Sequence, residues 1–408
     1  MTAKIVSPIH CRRLDELDAL RGLAAMSVVF GHYFLLLATN TRTDSRLGWY
    51  FLYPNSAGRD AVILFFILSG FVLAIPAIEH RPQSYPAFII RRVFRVYLPY
   101  LAALLIAVWG DFALHGPVTR STWFHQFWST SVDWSLVWRH VLFLGNYNTD
   151  QFDPPFWSLV YEMRLSIIFP ALCALVLKLK PKQSLMLAGI LSGASQFAVF
   201  LHPGYSKLAF ADTLHYAALF VIGIYLARMH GHLCEVYERI SGFDSVLIAI
   251  FAASLYIYGS TIANGILLGL GKINLDFLAD WPTALGTAAL IVLSSSSRYS
   301  HRLLRSKPIL FLGKISYSVY LLHFLVMLVF IHLLYTRVPL PIILTFCLPV
   351  TIVASWIFYR SVEIPSIKLG RKLSEYIENT RKQSALPVRP REAFTLSRSD
   401  SHLDLRNG

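Results

Sequence analysis

Stretches of about twenty apolar residues recur along the whole chain and constrain its fold more than any other feature. They lie at residues 20–38, 58–78, 90–110, 157–177, 184–201, 212–229, 243–260, 281–296, 309–334 and 338–360. Each is about as long as a helix must be to cross a bilayer. Runs such as LLIAVW are continuously apolar, whereas the strands of a membrane barrel alternate polar and apolar residues. The sequence therefore predicts an all-α integral membrane protein, a bundle of about ten transmembrane helices.

Composition and charge also favour a multi-pass membrane protein. The chain is 55% hydrophobic, far more than a soluble domain needs. Its net charge of +14 would suggest nucleic acid in a soluble protein, but the Lys and Arg residues concentrate in joints on the side of the N-terminus. By the positive-inside rule we predict that both termini are cytoplasmic, that the basic joints contact membrane lipids, and that nucleic acid is not a partner. No small-residue cleavage site follows the first apolar run, so we expect the first helix to be retained.

The chain divides into a transmembrane domain, residues 1–365, and a basic tail, residues 366–408. The tail is polar and lacks apolar periodicity, so we predict that it is disordered in the cytoplasm. The four cysteines fall in cytoplasmic or membrane segments, where disulfides are not expected, and their spacing makes no metal site.

Arg21 and His32 are ionisable side chains within the first span, where each requires a partner or a function. They are eleven residues apart, which is about 16 Å along a helix and within about 20° of three full turns, so they share one face. Arg21 lies near the predicted cytoplasmic end and His32 lies deeper. Simpler interpretations are a positive-inside anchor for Arg21 and a hydrogen-bonded packing residue for His32.

Three further arginines open the third span, FIIRRVFRVYLPYL. Arg91 and Arg92 are four and three residues before Arg95, so both share a helix face with it. Snorkelling to headgroups accounts for such arginines individually. Together with Arg21, they would form a cationic mouth suited to phosphates, because a guanidinium binds two oxygens at once. The pattern favours a nucleotide-like carrier as ligand.

Glu162 lies in the fourth span, PPFWSLVYEMRLSIIFP, one to two turns below the predicted outer surface. His32 is at a similar predicted depth. A carboxylate paired with an imidazole orients the ring and raises its basicity, as a general base requires. Alternatively, Glu162 pairs with Arg164 or faces an outer vestibule.

Other polar side chains in the spans are candidate substrate contacts. Ser69 lies near the centre of the second span, although helix packing through small residues is an alternative role. Ser316, Tyr320 and His323 form a stripe on the ninth span that lines either a reaction chamber or a packed interface. The external segment 111–156 is rich in tryptophan, which favours an interfacial helix, with gating of a sugar acceptor as the alternative.

Six patches of the sequence resemble the membrane acyltransferase family 3 in the family's own order. They are the R-x10-H of LDALRGLAAMSVVFGH, FFILSGF, the R-x-x-R of the third span, WSLVYE, ISYSVYLLH and VEIP, and they span residues 17 to about 370. The resemblance implies a bacterial inner-membrane enzyme with about ten helices. Such an enzyme moves an acyl group, usually acetyl, from cytoplasmic acyl-CoA to a hydroxyl of a carbohydrate or similar acceptor.

The resemblance also implies roles for particular residues. His32 would be the principal catalytic residue, and Arg21, Arg92 and Arg95 would serve donor binding or activity generally. Glu162 matches the glutamate that ends the family's W-S-L-x-x-E pattern. The chain departs from the family at two positions where many members have an acidic residue. It has Met163 in place of a second glutamate after Glu162, and Ile63 in place of an aspartate in the second span.

The resemblance and the residues together give one hypothesis for the reaction. The CoA phosphates dock at a group of arginines, which are Arg21, Arg91, Arg92 and Arg95. The thioester then lies near His32, which either deprotonates the acceptor with help from Glu162 or takes the acyl group itself. Ser69, Tyr320 and His323 are candidate oxyanion or acceptor contacts.

Some members of the family carry a C-terminal extracytoplasmic SGNH-type domain, for which this sequence has no room. We expect transfer to finish within the membrane domain or on a separate partner. Within the enzyme class, the alternative acceptors are a small molecule, a lipid or peptidoglycan. From other classes, a secondary transporter is disfavoured by the lack of repeated halves, and a non-catalytic scaffold by the presence of the site residues.

Overall fold

The computed structural model describes residues 15–40, 57–81, 83–116, 123–143, 150–201, 209–269 and 276–384. Within these ranges the chain is almost entirely helical and contains no strand. Ten of the helices there are long and apolar enough to cross a membrane. The predicted all-α membrane bundle of about ten spanning helices is confirmed.

The helices are numbered in chain order. They are α1 (Asp15–Asn40), α2 (Ala57–Ile78), α3 (Tyr85–Leu114), α4 (Trp134–Leu142), α5 (Phe156–Lys178), α6 (Pro181–Leu201), α7 (Ala209–Glu238), α8 (Gly242–Gly269), α9 (Asp276–Ser296), α10 (Arg298–Leu304), α11 (Lys307–Leu334), α12 (Leu340–Phe358) and α13 (Ile364–Ser384). Two wider, π-helical segments interrupt the regular winding. One, Val93–Tyr97, lies inside α3, and the other, Tyr359–Glu363, joins α12 to α13.

Each predicted span coincides with a long helix, although α7 and α8 each continue nine residues beyond the predicted end. Helix α1 begins before its apolar run, at Asp15, because acidic side chains in its first turn favour the positive end of the helix dipole. Helix α3 begins at Tyr85 with a proline in its first turn, where no hydrogen bond from its nitrogen is needed. Polar first turns therefore extend the helices beyond the apolar segments.

Helices α1 and α11 pack in parallel and at very close range. A Cβ atom added at Gly22 would lie 2.5 Å from the backbone nitrogen of Gly313, so only glycine fits at this crossing. Higher along the same two helices, His32 contacts His323. We call the end of the bundle where α1 begins the near face and the end where α1 finishes the far face.

A buried polar network ties α2, α6, α7 and α9 together. Arg59 makes two hydrogen bonds, of 2.8 and 2.9 Å, to the carboxylate of Asp280. His215 Nε2 lies 3.0 Å from the same carboxylate, and His215 Nδ1 lies 3.0 Å from Ser192 Oγ. Neither Asp280 nor His215 is more than 1% exposed. Their polar atoms are thus satisfied by one another, as a protein interior requires.

The prediction of a disordered tail from residue 366 is wrong for residues 366–384, which form most of helix α13. The helix docks on α3, where Arg91 Nε donates to Ser374 Oγ at 2.7 Å and the Ser84 nitrogen donates to the Glu378 carboxylate at 2.7 Å. The sequence of α13 is amphipathic, a periodicity that the prediction overlooked, so one face of the helix can pack on the bundle. Residues 385–408 lie outside the described residues.

Candidate active site

A cavity of about 830 Å³ extends through the bundle from the near face. Its lining residues on α2 run from Val62 to Ala77, which is about 22 Å along the helix axis. Seven of the nine predicted site residues line it, namely Arg21, Ser69, Arg91, Arg92, Arg95, Glu162 and Tyr320. His32 and His323 are not part of the lining.

The charges in this cavity are mostly positive. Six cations line it, namely Arg21, Arg91, Arg92, Arg95, Lys314 and Lys368, against three carboxylates, namely Asp18, Glu162 and Glu363. Within this set, Arg21 forms an ion pair with Asp18 at 2.6 Å. The surplus of cations makes the near part of the cavity a site for an anion.

The surplus charge belongs to side chains from three different helices. Arg95 on α3, Lys314 on α11 and Lys368 on α13 are exposed, and in the described part of the chain none of them makes a hydrogen bond or an ion pair. Guanidinium and ammonium groups without counter-ions suit a ligand that carries several phosphate oxygens.

Glu162 pairs with Arg92, so the predicted pairing with His32 is wrong, as is the alternative pairing with Arg164. Arg92 Nη2 donates to Glu162 Oε1 at 2.6 Å, and Arg92 Nε donates to Ser166 Oγ at 3.0 Å. The Arg92 residue is only 6% exposed, and a buried guanidinium requires a counter-charge. Helix α5 packs antiparallel to α3, which brings Glu162 to the level of the arginines.

His32 pairs instead with His323, which was predicted as a substrate contact. His32 Nδ1 lies 2.9 Å from His323 Nε2, and His323 Nδ1 lies 3.0 Å from the carbonyl oxygen of Val319. Because a carbonyl can only accept, the network assigns the proton to His323 Nδ1 and leaves its Nε2 as the acceptor for His32 Nδ1–H.

The same network leaves the Nε2 atom of His32 with a free lone pair. Among the described residues, no side chain or backbone group hydrogen bonds to this atom. An imidazole held by one nitrogen and unprotonated on the other is the arrangement of a general base.

Tyr320 lies at the end of the cavity, one helical turn before His323. Its hydroxyl lies 2.6 Å from Ser158 Oγ and donates to the Pro155 carbonyl at 3.1 Å. Its ring centroid is 6.3 Å from that of His323. The cavity that starts among the arginines thus reaches to within one turn of the histidine pair.

Aromatic side chains cover His32 on the far-face side of Tyr320. The Trp123 ring lies almost parallel to the imidazole, with centroids 5.8 Å apart, and Phe324 packs edge-on at 5.1 Å. Farther along the chain, Trp134 and Trp138 on α4 are each 63% exposed. The location of α4 at the membrane interface stays a prediction.

Eight polar residues of the cavity were not singled out by the sequence. They are Asp18, Gln83, Ser158, Lys314, Tyr317, Tyr359, Glu363 and Lys368. Ser158 and Glu363 stand inside the WSLVYE and VEIP patches, so the patches themselves were the available signal. Asp60 does not line the cavity, since its carboxylate accepts hydrogen bonds from Ser260 and Thr283 elsewhere in the bundle.

Comparison with known proteins identifies the family of this bundle. The family described as an acyltransferase domain matches residues 14–360. Acyltransferase MdmB of Streptomyces mycarofaciens is 28% identical over 337 residues, which cover 78% of this chain and 80% of that protein. The putative membrane-bound transacylase BcsY of Komagataeibacter xylinus is 26% identical over 343 residues, which cover 80% of this chain and 76% of that protein.

No solved structure matches the chain. The family match covers most of its length and includes the helices that carry the histidine pair and most of the cavity lining, whereas Glu363 and Lys368 lie beyond its last residue. The chain therefore belongs to acyltransferase family 3, and it is a multi-pass membrane acyltransferase.

Proposed function

We propose that this enzyme transfers an acetyl group from cytoplasmic acyl-CoA to a hydroxyl of a carbohydrate, either a cell-surface polysaccharide or its lipid-linked precursor. We place it in the bacterial inner membrane with its near face toward the cytoplasm, in keeping with the charge distribution of the joints. The observation that carries the proposal is one cavity with cations that make no ion pair at one end. Its other end, at Tyr320, lies one turn of α11 from His323, the hydrogen-bond partner of His32.

The donor fits this cavity by charge and by length. The phosphates of CoA bind at Arg95, Lys314 and Lys368, none of which makes an ion pair among the described residues. The pantetheine arm then follows the cavity, whose lining spans about 22 Å along α2 from end to end. The thioester arrives beside Ser158, whose hydroxyl can polarise its carbonyl, while Tyr320 donates its own proton to Pro155.

The acceptor hydroxyl meets the thioester at the histidine pair. His32 Nε2 takes the proton of the acceptor hydroxyl while the hydroxyl oxygen attacks the carbonyl carbon of the thioester. The carbon–sulfur bond breaks, and the departing CoA thiolate takes up the proton that His32 holds. His323 remains neutral throughout and keeps the imidazole of His32 in its reactive tautomer.

Turnover of radiolabelled acetyl-CoA by the purified protein, with glycans of a bacterial cell envelope as acceptors, tests the reaction. We expect His32→Ala to lower the rate of transfer by at least about 100-fold, because general base catalysis is worth that much. His232→Ala, a change of an exposed histidine on α7, should leave the rate unchanged. Wild-type turnover in His32→Ala would contradict the assignment.

The donor site has its own test in Arg95→Lys. The substitution keeps the charge but removes the two-pronged geometry, so we expect the KM for acetyl-CoA to rise several-fold. Arg302→Lys changes an exposed arginine on α10 and is the matched control. Unaltered affinity for CoA in Arg95→Lys would remove the argument from the cationic end of the cavity.

A further inference from the structure

Asp153 is a buried carboxyl group without a hydrogen-bond partner. It lies three residues before α5 on the far face and is 0% exposed. Neither of its carboxyl oxygens is hydrogen bonded. Buried polar atoms in proteins almost always have partners, and an unmet carboxyl lowers stability, so this one requires an explanation.

The surroundings of Asp153 determine what the group can bind. Burial, and to a lesser extent the charge of Asp150, raises the pKa of Asp153 well above its ordinary value. The carboxyl is therefore held toward its neutral form, which offers one O–H donor and a carbonyl acceptor. A neutral carboxyl suits a hydroxyl group, which also both donates and accepts.

Asp153 lies next to the reaction centre but outside the donor cavity. The same turn of chain carries Pro155, whose carbonyl accepts the hydroxyl of Tyr320 at the end of the cavity. Asp153 itself does not line that cavity. A donor that fills the cavity thus leaves Asp153 available to the second substrate.

One short segment, Trp123–Trp128, covers both His32 and the turn that contains Asp153. Trp123 stacks on His32, and Trp128 Nε1 donates to the carbonyl of Phe152 at 3.1 Å. Trp128 has a φ of 50°, in the left-handed region that a bulky side chain disfavours. Such strain clusters at ligand clamps and switch segments.

Resting on the proposed function, we propose that Asp153 binds a hydroxyl group of the acceptor, in a site next to His32 that the segment Trp123–Trp128 covers. The ligand class is a neutral polyhydroxyl compound. Its hydroxyl groups satisfy the two orphan oxygens, and the segment must move aside to admit it.

The test compares Asp153→Leu, which keeps the size of the side chain, with Asp153→Asn, which keeps its hydrogen bonds. The full-length protein is assayed with acetyl-CoA as donor and with cellobiose, lactose and N-acetylglucosamine as acceptor probes. We expect Asp153→Leu to raise the KM for the acceptor about tenfold and to leave the KM for acetyl-CoA unchanged. Asp153→Asn should lie between wild type and Asp153→Leu, and Glu235→Leu, a change of an exposed acid on α7, is the control.

Thermal unfolding separates a binding role from a structural one. Removal of an unpaired buried carboxyl should raise the Tm of Asp153→Leu above that of the wild type, whereas loss of a structural group would lower it. A fall in Tm with loss of use of both substrates overturns the proposal, and so does an unchanged KM for the acceptor.

The outcomes for the two proposals are distinguishable. If the wild-type protein transfers acetyl to none of the three sugars, the polyhydroxyl acceptor is wrong and both proposals fail. If the wild type and Asp153→Leu transfer equally well, only the role of Asp153 fails and the proposed function stands.

Discussion

The hydrogen bond between the two histidines makes a specific prediction for His323→Phe. The substitution keeps a ring of similar size in a site that is 0% exposed, but it removes the atom that accepts from His32 Nδ1 at 2.9 Å. A donor left without its partner in the interior costs about 1–3 kcal/mol. The same change frees His32 to move its proton to Nε2, which abolishes the base.

A loss of about 1–3 kcal/mol in the transition state corresponds to a fall in kcat of about 5- to 150-fold. We expect that fall in turnover of labelled acetyl-CoA by His323→Phe, with the KM for acetyl-CoA unchanged because the cavity lining is intact. His323→Gln supplies an oxygen near the position of Nε2 and should restore most of the rate. Wild-type kcat in His323→Phe, or a Gln variant as slow as the Phe variant, would refute the tautomer argument.

Further predictions concern packing, the buried network and pH. Gly22→Ala places a methyl group against the backbone of α11, so we expect the free energy of unfolding to fall by about 1–3 kcal/mol. Thermal unfolding in detergent measures this loss. The rate of acetyl transfer should also fall, because the two helices, and with them His32 and His323, move apart. Asp280→Asn removes the buried negative charge that pairs with Arg59 and should lower the free energy of unfolding by about 3–5 kcal/mol in the same assay. The pKa of Asp153 is raised in the folded state, so above about pH 4 its carboxyl ionises more readily in the unfolded chain, and the folded state loses stability as the pH rises. Asp153→Asn lacks the ionising group, so its Tm should exceed that of the wild type by an amount that grows with pH in that range.

The fold could be predicted from the sequence because the solvent imposes it. In lipid every backbone hydrogen bond must be made within the chain, so each long apolar stretch has to be a helix. Side chains such as Leu105, Trp109 and Phe112, each at least 68% exposed on the bundle, show that the apolar surface extends to the outside. Helix α13 was missed because its amphipathic pattern is set among many charged side chains, and because its polar contacts with α3 cannot be read from the sequence.

The site could be predicted only in part. The sequence shows which spans contain polar side chains, but the partner of each side chain depends on how the helices pack. The arginines, Ser69 and Tyr320 were found because polar groups are rare in spans, and all line one cavity. The partner of His32 was wrong because depth along a span was counted from an estimated outer boundary. The register of α5 against α3, which sets Glu162 beside Arg92, depends on side-chain packing that spacing does not reveal.

The number of residues in the π-helical segment Val93–Tyr97 determines which way the side chains of the donor site point. A π turn holds one residue more than an α turn, so deletion of a single residue there would return α3 to regular winding. Every side chain beyond the deletion would rotate by about 100° relative to those before it. If the deleted residue were Val93 or Phe94, Arg95 could no longer face the cavity while Arg92 keeps its contact with Glu162. Relatives that lack one residue there should therefore have lost one cation of the anion site even where both arginines are still present.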